Sequence, residues 1–301
     1  MKTLVIVNPH AGGGRALAIW DQIGPSLRQQ LGHVVSAITP TLEALAAALE
    51  QAHAEGVQRI ISIGGDGTNH HVINAIMRHN QQHPSAPLTY ATIPAGTGRD
   101  WSRGAGTPLD PEQAVTWIAN TRLRPVDVGW ASLDGKDRYF LNTSSTGITY
   151  DVVSRVERSA KGGRTTFIKA ILGSLMHYRP VPLRIWVDGR LWWDEPTYLA
   201  AFANGRYFGQ GLMIAPNAQV DDGLFDVFAA GDMRLPSVLR LLGQLYQGEH
   251  IHNRRVAHCR GEHVRVESPR GDLVGIDLDG EGAAAHVIEY RLKPRALLMN
   301  T

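Results

Sequence analysis

Arg59-Ile60-Ile61-Ser62-Ile63-Gly64-Gly65-Asp66-Gly67-Thr68 carries the clearest structural signal in this chain. Its apolar run reads as a buried strand that ends in three glycines, one carboxylate and one hydroxyl. Glycine has no Cβ to block a ligand and reaches φ > 0 readily. Backbone N–H groups of such a loop, and of a helix after it, can point at an anion. Phosphate, and so nucleotide chemistry, is the first expectation.

Similar strands flank it at residues 4–7, 34–38 and 90–93. Between them the apolar residues are spaced as on helices. Ile19, Trp20, Ile23, Leu27 and Leu31 share one face, ended by Gly32, with Pro25 as a point of distortion. Leu42, Leu45, Leu49 and Ala52 form a second face; Val72, Ile73, Ile76 and Met77 form a third. Strands alternating with helices at this spacing predict a parallel sheet covered by helices. Ligands bind such sheets at the carboxyl ends of the strands.

The second half is patterned differently. Asp134-Gly135 and Asp188-Gly189 are hairpin turns. Residues 184–187 and 191–193 flank the second turn, and further strands are expected at 198–203, 224–228, 264–267 and 273–278. An antiparallel sandwich or barrel follows. Helical stretches interrupt it near 166–178 and 236–246, and Trp192-Trp193 on a strand would put one ring on each face. The change of pattern places a boundary near Arg124-Pro125.

A chain of 301 residues suits two domains. A net charge of +2 argues against nucleic acid as a partner. Cys259 is the single cysteine, so no intrachain disulfide forms and a reducing compartment is expected. The apolar run after Lys2 is too short for a signal peptide, and no stretch approaches the ~18 apolar residues of a membrane span. A cytoplasmic protein is expected, with any membrane contact peripheral at the inner surface.

Two more loops repeat the logic of Gly64–Thr68. Asn8-Pro9-His10-Ala11-Gly12-Gly13-Gly14-Arg15 follows the first strand, where Arg15 can offer a guanidinium to phosphate. Pro94-Ala95-Gly96-Thr97-Gly98-Arg99-Asp100 follows the fourth. Later come Tyr207-Phe208-Gly209-Gln210-Gly211-Leu212-Met213-Ile214-Ala215-Pro216, then Asp221-Asp222-Gly223, and last Asp279-Gly280-Glu281. This ordered set resembles the diacylglycerol kinase catalytic-domain superfamily, most closely its soluble bacterial lipid kinases.

The resemblance implies an N-terminal doubly wound α/β domain akin to NAD kinase and phosphofructokinase, over residues 1–125 and completed by 290–301. It implies a C-terminal antiparallel β-sandwich domain for a lipid substrate over 126–289. It implies ATP as phosphoryl donor and Mg²⁺ as metal. ATP would contact Asn8, Pro9, His10, Ala11, Gly12, Thr39, Gly65, Asp66, Gly67, Thr68 and Thr97. Glu281 matches the family's proton acceptor, with Asp279 next in line as base or orienting group. Gln219 and Leu224, through backbone oxygens, and Asp222, through its carboxylate, match a structural Mg²⁺ site. Diacylglycerol is the first lipid to expect, and a homodimer stays open.

Structural roles compete with these. Asp66 has a helix N-cap as its lesser alternative, and Thr39-Pro40 also reads as an N-cap followed by a first-turn proline. Asp-Asp-Gly at 221–223 is a turn sequence. His70-His71 stand where the family usually has Asn-Glu, a departure from which the resemblance implies altered nucleotide contacts. Phe167, Ile168, Ile171, Leu172, Leu175 and Met176 form a broad apolar stripe with Lys161, Arg164 and Lys169 nearby. It is either core or a membrane-facing surface. Two other functions fit: a kinase of a soluble metabolite such as NAD, and a nucleotide- or lipid-binding regulator with little turnover.

Overall fold

The computed structural model describes residues 1–159 and 164–301. The chain forms two compact units, Met1–Val126 with Arg295–Thr301, and Asp127–Pro294.

The first unit runs β1 (Thr3–Val7), α1 (Arg15–Leu31), β2 (Val34–Ile38), α2 (Leu42–Ala54), β3 (Arg59–Gly64), α3 (Asp66–Gln82), β4 (Thr89–Pro94), α4 (Asp100–Ala105) and α5 (Pro111–Asn120). β1 pairs in parallel with β2 and β3, and β3 pairs in parallel with β4. Met299 returns to lie parallel beside Tyr90. Val5, Val7, Ile61, Ile63 and Ile93 pack against Ile23 and Leu27 of α1 and Ile118 of α5. Each such aliphatic burial contributes about 1.5–3 kcal/mol, which is why these strands read as continuous apolar runs. Val7 lies opposite Ile63, and Ile63 opposite Ile93, so the loops after β1, β3 and β4 leave the sheet side by side.

Local details refine the sequence reading. α1 runs unbroken through Pro25. Pro25 and Asp21 both lie on the exposed side of α1, where water can serve the Asp21 carbonyl that loses its i+4 partner. The N-cap of α2 is Thr41, whose Oγ1 accepts from the Ala44 N–H at 3.2 Å, and not Thr39. Thr39 instead closes β2, its N–H donating to the Val7 carbonyl at 2.9 Å. Asp66 is the first residue of α3 rather than its cap, which is Gly65.

The second unit contains β5 (Leu123–Leu133), which enters from the first, β6 (Lys136–Phe140), β7 (Thr143–Gly147), α6 (Ile148–Glu157), α7 (Arg164–His177), β8 (Val181–Val187) and β9 (Arg190–Ala203). It continues through β10 (Phe225–Gly231), α8 (Leu235–Gln247), β11 (Val256–Gly261), β12 (His263–Glu267), β13 (Val274–Leu278) and β14 (Glu281–Ala285). β15 (Val287–Asn300) then leads back. The long β9 pairs with β8 along its first half and with β7 and β10 along its second. Antiparallel layers β14-β13-β7 and β8-β12-β15 extend from it around Phe140, Phe202, Phe225 and Tyr290.

Trp192 and Trp193 depart from simple alternation. Ile185 pairs with Trp193 and Trp186 with Leu191, so Trp192 is skipped by the ladder. That irregularity brings both rings against the same core cluster, 6.1 Å apart, rather than one to each face. The apolar stripe of α7 is divided between the two faces of the helix. Phe167, Ile171 and Leu175 turn inward, while Ile168, Leu172 and Met176 are exposed. Lys161 lies outside the described residues.

Candidate active site

In the first unit the three glycine loops touch one another. Asn8 Nδ2 donates to Thr68 Oγ1 at 2.8 Å, and Asn8 Oδ1 accepts the His10 N–H at 3.0 Å. Arg15 donates through Nε to the Gly12 carbonyl and through Nη2 to the Ala95 carbonyl, both at 3.1 Å. Its guanidinium therefore straps the first loop to the third. Gly12 has φ +62°, and a Cβ there would fall on the Ala95 carbonyl oxygen. A Cβ on Gly96 would stand 2.6 Å from the Gly65 Cα. Gly64, Gly65 and Gly67 do not use the left-handed region. A Cβ on Gly64 would strike the Thr68 side chain and one on Gly65 would crowd the Gly96 Cα, so close packing rather than positive φ explains these two glycines.

The Arg99 N–H donates to Asp66 Oδ2 at 2.9 Å, fixing the third loop to the second. Burial raises the Asp66 pKa, against the lowering effect of backbone N–H groups from Arg99, Asp100 and Trp101. Arg99 Nε donates to the Gly96 carbonyl at 2.9 Å, so this side chain braces its own loop. Thr97 is exposed on the same loop. Asn8, Pro9, His10, Ala11, Gly12, Thr39, Gly65, Asp66, Gly67, Thr68 and Thr97 thus all belong to one rim, at the carboxyl ends of β1 to β4. The first N–H groups of α3 open onto that rim, which suits an anion.

Behind it lies a polar core that the sequence reading missed. Asn69 Oδ1 accepts from Ser62 Oγ, Tyr90 Oη and Thr92 Oγ1 at 2.8–3.1 Å. His70 is buried beside Asn74, while His71 is half-buried. The two histidines therefore face different surroundings, as adjacent helix positions must.

In the second unit a hairpin between β13 and β14 carries Asp277, Asp279 and Glu281. Asp279 sits at the turn with φ 52°. Its carboxylate accepts the N–H groups of Leu141, Asn142 and Thr143 at 2.7–3.0 Å. Three such bonds hold it as a clamp, which favours the orienting role over that of base. Glu281, at the start of β14, has its pKa raised by burial first and then by the charge of Glu157; Arg138 opposes this. Glu157 reaches in from α6, its Oε1 accepting the Gly282 N–H at 3.0 Å. Asp277 is pushed up to about 8 by burial, with further upward pressure from Asp279 and Glu281. The alternation Asp277-x-Asp279-x-Glu281 was the available signal for the extra carboxylate.

An apolar cavity of about 110 Å³ opens beside this hairpin. Phe167, Ile171 and Leu175 of α7 line it with Leu241 and Leu245 of α8, and Asp277 is its one carboxylate. An apolar chamber that ends on an acidic hairpin suits a molecule with a long apolar part and a hydroxyl.

Residues 2–131 match the diacylglycerol kinase catalytic domain, and residues 142–300 match the YegS C-terminal NAD kinase beta sandwich-like domain. The diacylglycerol kinase of Mycobacterium tuberculosis is 30% identical over 299 residues, covering 98% of this chain and 94% of that one. The chain belongs to the diacylglycerol kinase family. It is a lipid kinase. The diacylglycerol kinase of Bacillus subtilis is also 30% identical, over 84% of this chain and 81% of its own length. A solved structure of a diacylglycerol kinase from Bacillus anthracis shares the fold, with TM-score 0.75 over 99% of this chain and 96% of that chain at 24% identity.

The kinase departs from the Mg²⁺ arrangement expected at Gln219, Asp222 and Leu224. Asp222 Oδ1 accepts the Leu224 N–H at 3.1 Å, and its Oδ2 is paired with the Arg260 guanidinium. Arg260 also lies 3.7 Å from Asp226. A guanidinium thus holds the carboxylate that a hard cation would need, so Mg²⁺ would have to displace Arg260 to bind here. Thermal unfolding is expected to be indifferent to millimolar Mg²⁺ or to a chelator. Arg260→Gln should lower the melting temperature and make it rise with Mg²⁺. A wild-type melting temperature that falls on chelation would contradict the ion-pair assignment.

Two predictions concern the acidic hairpin of the kinase. Glu157→Gln keeps an oxygen for the Gly282 N–H but removes a negative charge beside Glu281. The acid limb of the pH–rate profile should move to lower pH, and an unmoved limb would exclude that coupling. Asp277 acts on stability. Its carboxyl titrates near about 3.9 when unfolded and about 8 when folded. Between those values the folded state binds more protons, so this group's contribution is complete below about 4 and is lost as pH rises through 8. Asp277→Asn should therefore raise the melting temperature more at pH 9 than at pH 5, read by thermal unfolding at both.

Proposed function

We propose that the kinase transfers the γ-phosphoryl group of ATP to the free hydroxyl of diacylglycerol. The observation that carries this reading is the apolar cavity between α7 and α8 that has Asp277 in its wall, on the hairpin whose next strand begins at Glu281. The cavity would take part of an acyl chain and bring the glycerol end toward the carboxylates. The relatives named diacylglycerol kinase agree with that substrate.

Glu281 accepts the proton of the acceptor hydroxyl as its oxygen attacks the γ-phosphorus. The bond to the bridging β,γ-oxygen breaks, and ADP leaves. Asp279, clamped by three amides, keeps the hairpin in place during the transfer. The glycine rim and the first turn of α3 hold the ATP phosphates. Mg²⁺ carried by ATP would supply countercharge for the transferring group.

A cavity of about 110 Å³ is smaller than the ~150 Å³ apolar cavity that admits one benzene. The remaining acyl carbons would stay in the bilayer, so the kinase works as a peripheral protein at a membrane surface. Ile168, Leu172 and Met176, exposed on the same α7 that lines the cavity, supply apolar contact area. No helix among the described residues is long and apolar enough to cross a membrane.

The test compares kcat/KM for diacylglycerol, monoacylglycerol, ceramide and NAD, each lipid in the same mixed vesicles. Diacylglycerol is expected to rank first, with NAD inert. A tenfold preference for another acceptor would overturn the substrate assignment.

A further inference from the structure

His53, His79 and His83 meet on the first unit at a place the phosphoryl chemistry does not use. His53 stands in the last turn of α2, His79 in the last turn of α3, and His83 is the C-cap of α3. His79 and His83 are four residues apart, so they share one side of the helix end. The ring centroids of His53 and His83 are 3.9 Å apart, and those of His79 and His83 are 4.7 Å apart. His79 Nε2 lies 3.0 Å from His53 Nδ1. One nitrogen from each ring lies within 4.8 Å of the other two.

We propose that these three imidazoles bind one late transition-metal ion of the Zn²⁺ type, with water completing the coordination. Tetrahedral Zn–N bonds of ~2.0–2.1 Å set ligand nitrogens about 3.3 Å apart. To reach that spacing from within 4.8 Å, the stacked His53 and His83 rings, now 25° from parallel, would turn until their in-plane nitrogens converge on the ion. Neutral nitrogen donors favour Zn²⁺, Co²⁺ or Ni²⁺ over the oxygen-seeking Mg²⁺ and Ca²⁺.

Two features of the surroundings support the assignment. His79 Nδ1 lies 3.3 Å from Asn80 Oδ1. Asn80 is itself fixed, donating to the Leu88 carbonyl at 3.1 Å and accepting the Leu88 N–H at 2.8 Å. A held acceptor on Nδ1 keeps the proton there and leaves Nε2 to the metal, as outer partners of histidine ligands commonly do. The carboxyl ends of two helices also meet here, and their dipoles favour a cation. When the metal arrives, the proton shared between His79 Nε2 and His53 Nδ1 moves to the far nitrogen of its ring or to solvent. The ion would tie α2 to α3 at their ends.

The test uses the full chain, stripped with a chelator and titrated with Co²⁺ and then Zn²⁺. The expected result is one equivalent bound, with the intense visible bands of tetrahedral Co²⁺ that Zn²⁺ abolishes. His79→Gln and His83→Gln should each weaken binding at least tenfold, and Asn80→Ala should weaken it less. Zn²⁺ should raise the melting temperature of the parent but not of the His79→Gln/His83→Gln variant. That variant should keep its metal-free melting temperature and its lipid kinase turnover, because these residues lie outside the phosphate rim. Absence of Co²⁺ bands, or equal affinity in the double variant, would overturn the proposal.

Discussion

Glu281→Gln should lower kcat by roughly 10²–10⁴-fold, the usual contribution of a positioned general base, while ATP still binds. Glutamine is nearly isosteric, so the β13–β14 hairpin keeps its register and Asp279 keeps its three backbone donors. What disappears is the ability to accept a proton. A lipid hydroxyl is a very weak acid, so transfer needs an acceptor aligned with it. Burial and the neighbouring Glu157 raise the Glu281 pKa, which makes its carboxylate a stronger base. The parent's activity should therefore rise with pH over a limb above the ordinary carboxylate range. The variant should lose that limb along with its turnover. Steady-state kinetics across pH, with ATP affinity measured separately, checks both. Turnover within threefold of the parent would remove Glu281 from the chemistry.

Gly12→Ala should weaken ATP binding at least tenfold and lower the melting temperature by several degrees. Gly12 has φ +62°, a conformation that costs alanine about 1 kcal/mol. The added methyl would also fall on the backbone carbonyl of Ala95, which cannot rotate away. The loop after β1 must then lift from the loop after β4, and the Arg15 strap that joins them is lost. Gly13→Ala is a useful control: its φ is also positive, at +70°, but its Cβ would meet nothing within 4 Å. It carries the conformational cost without the clash. Equal ATP affinity in Gly12→Ala and the parent, by calorimetry, would show that loop contact does not shape the phosphate site.

Much of the architecture was legible because burial leaves a periodic trace. β1, β3 and β4 are buried on both faces, so they appear as short, largely apolar runs, each leading into a glycine-containing loop. Elements with mixed surroundings were harder to read. β7 (Thr143–Gly147) is fully buried yet made of threonine, serine and glycine. Its hydroxyls find partners such as the Asp277 carbonyl and Tyr290 Oη, which no local pattern announces. β14 (Glu281–Ala285) is too glycine- and alanine-rich to read as a strand, and it forms because it pairs with β13. Trp192 and Trp193 misled because the irregular β8–β9 pairing breaks the alternation that strand reading assumes.

The candidate site was legible in the same uneven way. The glycine loops and Glu281 are contiguous motifs. Asp277 was read only as the body of a strand, although it lines the apolar cavity. Glu157 lies 124 positions before Glu281 and meets its neighbourhood only through packing of α6 on the β13–β14 hairpin. Asp222 stands in a motif whose expected partner was a metal. The guanidinium that pairs with it comes from Arg260 on β11, far along the chain. Pairings of that kind follow from tertiary structure and leave no mark in a local window.

The most direct measurement follows the label of γ-phosphate-labelled ATP during incubation with diacylglycerol in vesicles, with ADP counted in parallel. The expected result is label in a lipid phosphomonoester, one for each ADP formed, and loss of that product in Glu281→Gln. Label appearing only as inorganic phosphate, or ADP formed without a phosphorylated lipid, would contradict the account.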